Sequence, residues 1–308
     1  MKRAFTLLEL VVVIVVLGII AMMSFNAIMN IYSNYFQTKT VNELETQTEI
    51  ALEQISKRLE HRIKPSVIAR KTDGAFLALN DSGVNLNAEY EILEFIPYAY
   101  EIFNDVPSGN KAGRYSGYAD LAKSSPATGL ISPGSNFSTE VVETIKDLTC
   151  REDTNVTCVD FKDKDGGVVA IFSDVYYNVQ DSFGYKGISN LDIAKVGVKS
   201  TDGDTLEISG FANKQISEQY HLAYTANAIV PEQSADPKDT ANGVFDLNLY
   251  YDYRPWMGEK YKQNGEKATL AKNVTRFVFT EKNGVIVLKL CMRAKNSEVT
   301  ICKSKAVY

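Results

Sequence analysis

A carboxylate near the start of a hydrocarbon-like segment is the first group in this chain whose type and position call for a chemical partner. Glu9 follows Phe5-Thr6-Leu7-Leu8 and precedes Leu10 and an apolar run from Val11 through Met23. A charge inside such a segment costs about 2.5–3.5 kcal/mol on insertion scales, so where one occurs it is paired. Four cysteines, Cys150, Cys158, Cys291 and Cys302, are the next candidates. An even number in an exported chain implies two disulfides. A zinc site using all four is disfavoured because no C-x-x-C pair occurs. Asp160, Asp163, Asp165 and Gly166 have the oxygen spacing of part of a calcium loop, without the bidentate Glu that completes one. Turns rich in Asp and Gly produce the same letters. Asp153-Thr154-Asn155-Val156-Thr157 is an acidic-extended N-glycosylation sequon, with Asn155 as acceptor. The sequons at Asn80, Asn136 and Asn273 lack the preceding acid. The two histidines, His61 and His221, belong to no metal or nucleophile motif. The chain therefore reads as a non-enzyme, with no cofactor apart from the calcium candidate.

The elements that must position these residues follow from periodicity. Val41, Leu44, Thr48, Leu52, Ile55, Leu59 and Ile63 recur every three or four residues, one stripe of a helix. Glu53 and Lys57 are spaced for an i,i+4 pair. Pro65 disfavours helical geometry at Lys64 and predicts the helix end there. Phe5 to Lys64 is thus one helix of about 60 residues, roughly 90 Å long at 1.5 Å per residue. That is far more than a bilayer needs, so the stripe needs something to pack on, and the chain's own C-terminal part is the nearest candidate.

From Ser66 onward the pattern turns to strand. Ser66–Arg70, Ala75–Leu79, Tyr90–Ala99, Val168–Val179, Gly187–Val198, Thr205–Phe211, Glu218–Ile229 and Phe245–Tyr253 read as extended. Residues 104–136 read as loops with a short helix at Tyr118–Lys123, while Ser138–Leu148 fits helix or strand equally. Val274–Thr280, Val285–Arg293 and Glu298–Tyr308, with turns at Asn283-Gly284 and Asn296-Ser297, read as an antiparallel meander. Counting outward from Asn296-Ser297 places Cys291 opposite Cys302, within reach of a disulfide. Cys150 and Cys158 flank a polar loop, so of the three possible pairings spacing favours 150–158 with 291–302. The fold class is α+β: residues 1–4 a leader, 5–64 the helix with about 5–25 in the membrane, and 65–308 a β-rich head long enough for two subdomains. With 33 basic and 38 acidic residues the formal charge is −5, which argues against nucleic acid as a partner. Lys289, Arg293, Lys295, Lys303 and Lys305 form a local basic patch, read as a solvated strand face.

Lys2 and Arg3 place the N-terminal flank in the cytoplasm and the head across the membrane. A secretory signal would end in a small-residue cleavage site, and Ala21-Met22-Met23-Ser24 is a poor one. An ordinary anchor explains the length of the apolar run but leaves Glu9 and the FTLLEL hexamer unexplained. The basic leader Met1–Ala4, that hexamer and the apolar helix together resemble the class III signal of type IV prepilins and pseudopilins.

The resemblance implies cleavage between Ala4 and Phe5 by prepilin peptidase, with N-methylation of Phe5. Ala4 stands where the family usually has Gly, and Asn26 where many major pilins have Pro. It implies that Glu9 pairs with the N-terminal amine of a neighbouring subunit, and that the partners are other pilin or pseudopilin subunits reached through the N-terminal helix. The subunit would first reside in the bacterial inner membrane as a single-pass protein with a periplasmic head, then in a pilus or pseudopilus. ALEQISKRLEHRIKPSVIAR and LAKNVTRFVF…VIVLKLC are similar to large minor pilins of the W type and to J-type minor pseudopilins, which prime or cap a filament in pilus biogenesis, secretion or DNA uptake. The K-type tip pseudopilin typically lacks the acid, so Glu9 argues against it. Two other readings remain. One is a filament-tip module for adhesion or DNA capture, on Arg114–Tyr118 or Tyr250–Trp256. The other is an anchored periplasmic domain unrelated to filaments.

Overall fold

A computed structural model describes residues 7–80, 89–103, 115–137, 139–150, 158–199, 203–211, 214–295 and 298–308. A long N-terminal helix, α1 (Leu7–Glu60), is followed by a β-rich head. The strands are β1 (Ile68–Arg70), β2 (Phe76–Ala78), β3 (Ile92–Phe95), β4 (Leu130–Ile131), β5 (Val169–Phe172), β6 (Ala194–Val198), β7 (Thr205–Ser209), β8 (Tyr220–Ala223), β9 (Ala226–Gln233), β10 (Phe245–Tyr253), β11 (Glu266–Lys282), β12 (Val285–Arg293) and β13 (Thr300–Val307). Eight form one antiparallel sheet in the order β13-β12-β11-β10-β9-β3-β1-β2. The others form a second sheet, β4-β7-β6-β5-β8, inserted in sequence between β3 and β9, which pair directly.

Three apolar cores follow from this layering. Leu44, Leu52, Ile55 and Leu59 of α1 pack on one face of the large sheet against residues such as Leu93, Leu247 and Leu288. The opposite face, with Ile68, Ile92, Val230 and Tyr253, meets Ile171, Phe183 and Trp256. The second sheet has its own core, into which the helix Thr139–Thr149 inserts Val141, Val142 and Ile145. A strand covered on both faces is apolar throughout in β5, whose four residues are all buried.

The apolar stripe of α1 lies where its spacing puts it: Leu44, Thr48, Leu52, Ile55, Leu59 and Ile63 are all buried and Val41 is half-buried, with Ala51 and Ser56 added. Burying each large aliphatic side chain contributes roughly 1.5–3 kcal/mol. The helix ends earlier than Pro65 requires. His61 and Arg62 peel away to pair with the segment after β3: Ile63 N–H donates to the Ile96 carbonyl at 2.8 Å and Tyr98 N–H to that of His61 at 2.9 Å. Pro65 then lies in a short 3-10 turn, Lys64–Ser66.

Other differences have similar origins. Glu218–Ile229 is not one strand: the chain leaves the second sheet at Ala223 and enters the first at Ala226. Tyr118–Lys123 contains no helix, since Tyr118 bridges Gln219 instead. Val168–Val179 keeps only β5 as strand and gives way to a short helix, Val179–Ser182. β11 starts at Glu266, eight positions before Val274, because β10 supplies a partner along that stretch. The meander itself forms as spaced. Asn283 (φ 54°) and Gly284 (φ 79°) take the left-handed pair of conformations that a tight I′ turn needs. Asn296-Ser297 lies outside the described residues, and β12 and β13 pair with Cys291 opposite Cys302.

Candidate functional site

Glu9 lies in the first turn of α1. From Leu7 to Lys39 every residue of the helix is exposed, including Leu10, Ile14, Leu17, Phe25, Tyr32 and Phe36. Among the described residues α1 alone is long and apolar enough to cross a membrane. The exposed apolar stretch Leu7–Phe36 measures about 45 Å at 1.5 Å per residue, longer than the roughly 30 Å hydrocarbon layer. Tyr32, Tyr35 and Phe36 at its far end are the residue types that occupy a membrane–water boundary. Ala4 and Phe5 lie outside the described residues.

The other half of α1 is fastened to the head by charge as well as by its apolar stripe. Lys303 Nζ lies 2.8 Å from Glu49 Oε2 and 3.4 Å from Glu45 Oε1, and Lys305 pairs with Glu53. The spacings match: four helical residues rise about 6 Å and two strand residues about 6.6 Å. β13 therefore runs beside α1 in the same direction. The Lys303 ammonium lowers the pKa of the Glu49 carboxyl, and Glu49 in turn raises that of Lys303. These contacts correct two expectations. Glu53 does not pair with Lys57, which turns to Glu60 at 3.1 Å, because β13 presents Lys305 to it. Lys303 and Lys305 are also not a solvated face.

Arg62 secures the same junction and was not singled out by sequence. It is 6% exposed. Its Nη1 donates to the carbonyls of Leu59 at 2.8 Å and Tyr308 at 3.2 Å, and its Nη2 to that of Gly284 at 2.9 Å. It caps the last turn of α1 and ties it to the β11–β12 turn and the end of β13. Burial lowers its pKa while Glu281 opposes the shift. A cation just past the last helical turn, three residues ahead of a proline, was the available signal. Glu94 is a second omission. It is buried, accepting from Arg70 Nε at 2.7 Å and from the Tyr253 hydroxyl at 2.8 Å. Burial raises its carboxyl pKa and the Arg70 charge works against that.

The remaining candidates are dispersed. Cys150 is bonded to Cys158 and Cys291 to Cys302, with Cα–Cα distances of 4.6 and 4.0 Å. Asn155 lies outside the described residues. The Asp160 and Asp163 carboxylates accept the backbone N–H groups of Lys162 and Asp165, at 2.9 and 3.0 Å. Asp165 accepts the Ser209 hydroxyl at 2.8 Å. Among the described residues no group of three or more His, Cys, Asp or Glu side chains is placed to hold a metal ion. In the two segments considered for base stacking, Tyr115, Tyr250, Tyr253 and Trp256 are buried in the cores, Tyr251 is half-buried and Tyr118 exposed, and Arg114 lies outside the described residues.

Residues 1–25 match the family model described as the prokaryotic N-terminal methylation motif. Comparison with curated proteins and with solved structures finds no match. That motif, the class III signal peptide of type IV pilins, leads here into a long, exposed, apolar helix.

Proposed function

We propose that this protein is a minor pilin or pseudopilin, a structural subunit that primes or caps a pilus-like filament. One observation carries the reading. A methylation motif containing Glu9 leads into a helix whose first half is exposed and apolar and whose second half is built into the head. The exposed half suits a lipid environment first and the helices of neighbouring subunits afterwards. Proteolysis between Ala4 and Phe5 frees an amine, and Glu9 of an adjacent subunit receives it. In an apolar surround each charge is costly alone, so the pairing sets both the register and the strength of assembly. The leader stays cytoplasmic and the head is exported, where the disulfides Cys150–Cys158 and Cys291–Cys302 persist. The size of the head, with a second sheet inserted into the first, supports a minor rather than a bulk subunit.

The mass of the mature N-terminus tests this reading. N-methylated Phe5 is the expected terminal residue. An unprocessed Met1 on the exported protein would identify a plain membrane anchor instead.

A further inference from the structure

A cleft of about 830 Å³ opens where the chain passes from the second sheet to the first, within the size range of small-ligand sites. The end of α1, the Tyr224-Thr225 link between β8 and β9, and the last part of β10 meet there. Three features of its wall bear on what it could hold.

Asn227 of β9 lines the cleft and is only 3% exposed. Its carboxamide makes no hydrogen bond to any described residue and keeps an edge open to the cleft, unlike the sealed, unpartnered polar atoms elsewhere in the described residues. Asp252 lies in a bulge of β10, where the register shifts between Tyr250 and Tyr253, and holds a left-handed backbone at φ 58°. Its N–H donates to Thr225 Oγ1 at 2.9 Å and its carboxylate pairs with Arg254 at 3.3 Å. Bulges and strained non-glycine residues of this kind gather where a side chain has to be aimed at a ligand. Finally, the His61 ring stacks on Tyr100 at 4.1 Å, 16° from parallel, and its Nδ1 is 3.1 Å from the Tyr98 hydroxyl. Tyr100 remains 39% exposed, so it offers an aromatic surface already held in place.

The charges select the ligand class. Lys57 is engaged by Glu60 at 3.1 Å, Glu53 by Lys305 and Asp252 by Arg254, while Arg58 and Glu101 border the same space with opposite charges. A phosphate or nucleic-acid strand would meet no surplus of cations, because Arg58 is offset by Glu101. A carboxamide, by contrast, donates and accepts in one plane, the pattern that two vicinal hydroxyls match. The C–H face of a pyranose ring suits an aromatic surface. We propose that this cleft binds a neutral saccharide, with one sugar face on Tyr100 and two neighbouring hydroxyls on the Asn227 carboxamide.

The test uses the full chain in a zwitterionic detergent without a sugar headgroup, titrated with a panel of neutral mono- and oligosaccharides. Saturable binding of at least one sugar is expected, weakened at least tenfold in both Asn227→Ala and Tyr100→Ala. Asn227→Ala should melt at the wild-type temperature, because it removes no hydrogen bond within the protein. Should it melt lower, Tyr100→Ala at the exposed rim decides by the same criterion. Three results overturn the proposal: no sugar binding across the panel, sugar binding that survives both substitutions, or saturable binding confined to nucleotides or peptides run as parallel probes.

Discussion

Arg62 Nη1 donates to the carbonyl of Tyr308, 246 residues further along the chain, at 3.2 Å. With the same fork also on Leu59 and Gly284, one guanidinium closes the end of the long helix against the last strand of the large sheet. Hydrogen bonds from a charged donor contribute about 1.5–3 kcal/mol, and stranding buried carbonyls costs more. Arg62→Ala should therefore lower stability by about 2–4 kcal/mol in denaturant titration. Arg62→Lys should recover only part of the loss, because an ammonium cannot span three carbonyls from one plane. Full rescue by Lys would show that the charge, and not the fork, is what matters.

Glu9→Ala should impair incorporation into filaments while leaving the exported head folded. The head's cores lie in residues from Leu44 onward, remote from Glu9. Filament fractions compared by quantitative immunoblot, with near-ultraviolet circular dichroism of the purified subunit, read the two effects separately. Normal incorporation of the variant would remove Glu9 from the assembly mechanism.

The Cys291–Cys302 bond closes a short loop between paired strands, at a sequence separation of 11. Chain-entropy arguments give about 2–3 kcal/mol for a loop of this size. The double Ser variant should unfold at correspondingly lower denaturant concentration, and adding reductant to the wild type, which also opens Cys150–Cys158, should lower the midpoint by at least as much. A wild-type midpoint unmoved by reductant, with the thiols verified as free, would contradict this.

His221 predicts a pH dependence. Burial lowers its pKa from the usual 6.5, and its Nδ1 is buried with no hydrogen-bond partner among the described residues. The unfolded chain thus takes up a proton at a pH where the native state does not. Stability is fully present above pH 6.5 and declines as the pH falls below it, flattening once the native imidazole also protonates. His221→Phe should abolish that part of the acid slope in melting temperatures recorded from pH 7.5 downward. An unchanged slope would place the acid sensitivity elsewhere.

What the sequence discloses and what it withholds divide by the range of the interaction. The stripe from Leu44 to Ile63 and the facing cysteines of β12 and β13 were legible because both depend on local periods, 3.6 in a helix and 2 in a hairpin. The Glu53–Lys57 pairing was misjudged because its competitor, Lys305, is 252 residues away. Pro65 marked a helix limit that Ile96 and Tyr98 had already imposed from across the sheet. Tyr224-Thr225 gives no breaker signal, so the passage between sheets is invisible without Asp252 beside it. The free carboxamide of Asn227 is likewise a property of its surroundings, since an Asn in a strand looks the same whether satisfied or not.

The Lys–Glu ladder between β13 and α1 has a mechanical consequence. Its rungs succeed one another along the helix axis, so tension applied at the Leu7 end shears them together rather than unzipping them one by one. The sulfur bridge from β13 to β12 keeps the loaded strand from tearing off the sheet edge. A subunit hauled out of a bilayer by its shaft would thus bring its head along without unravelling it, and the joint between shaft and head would act as a fixed coupling instead of a hinge.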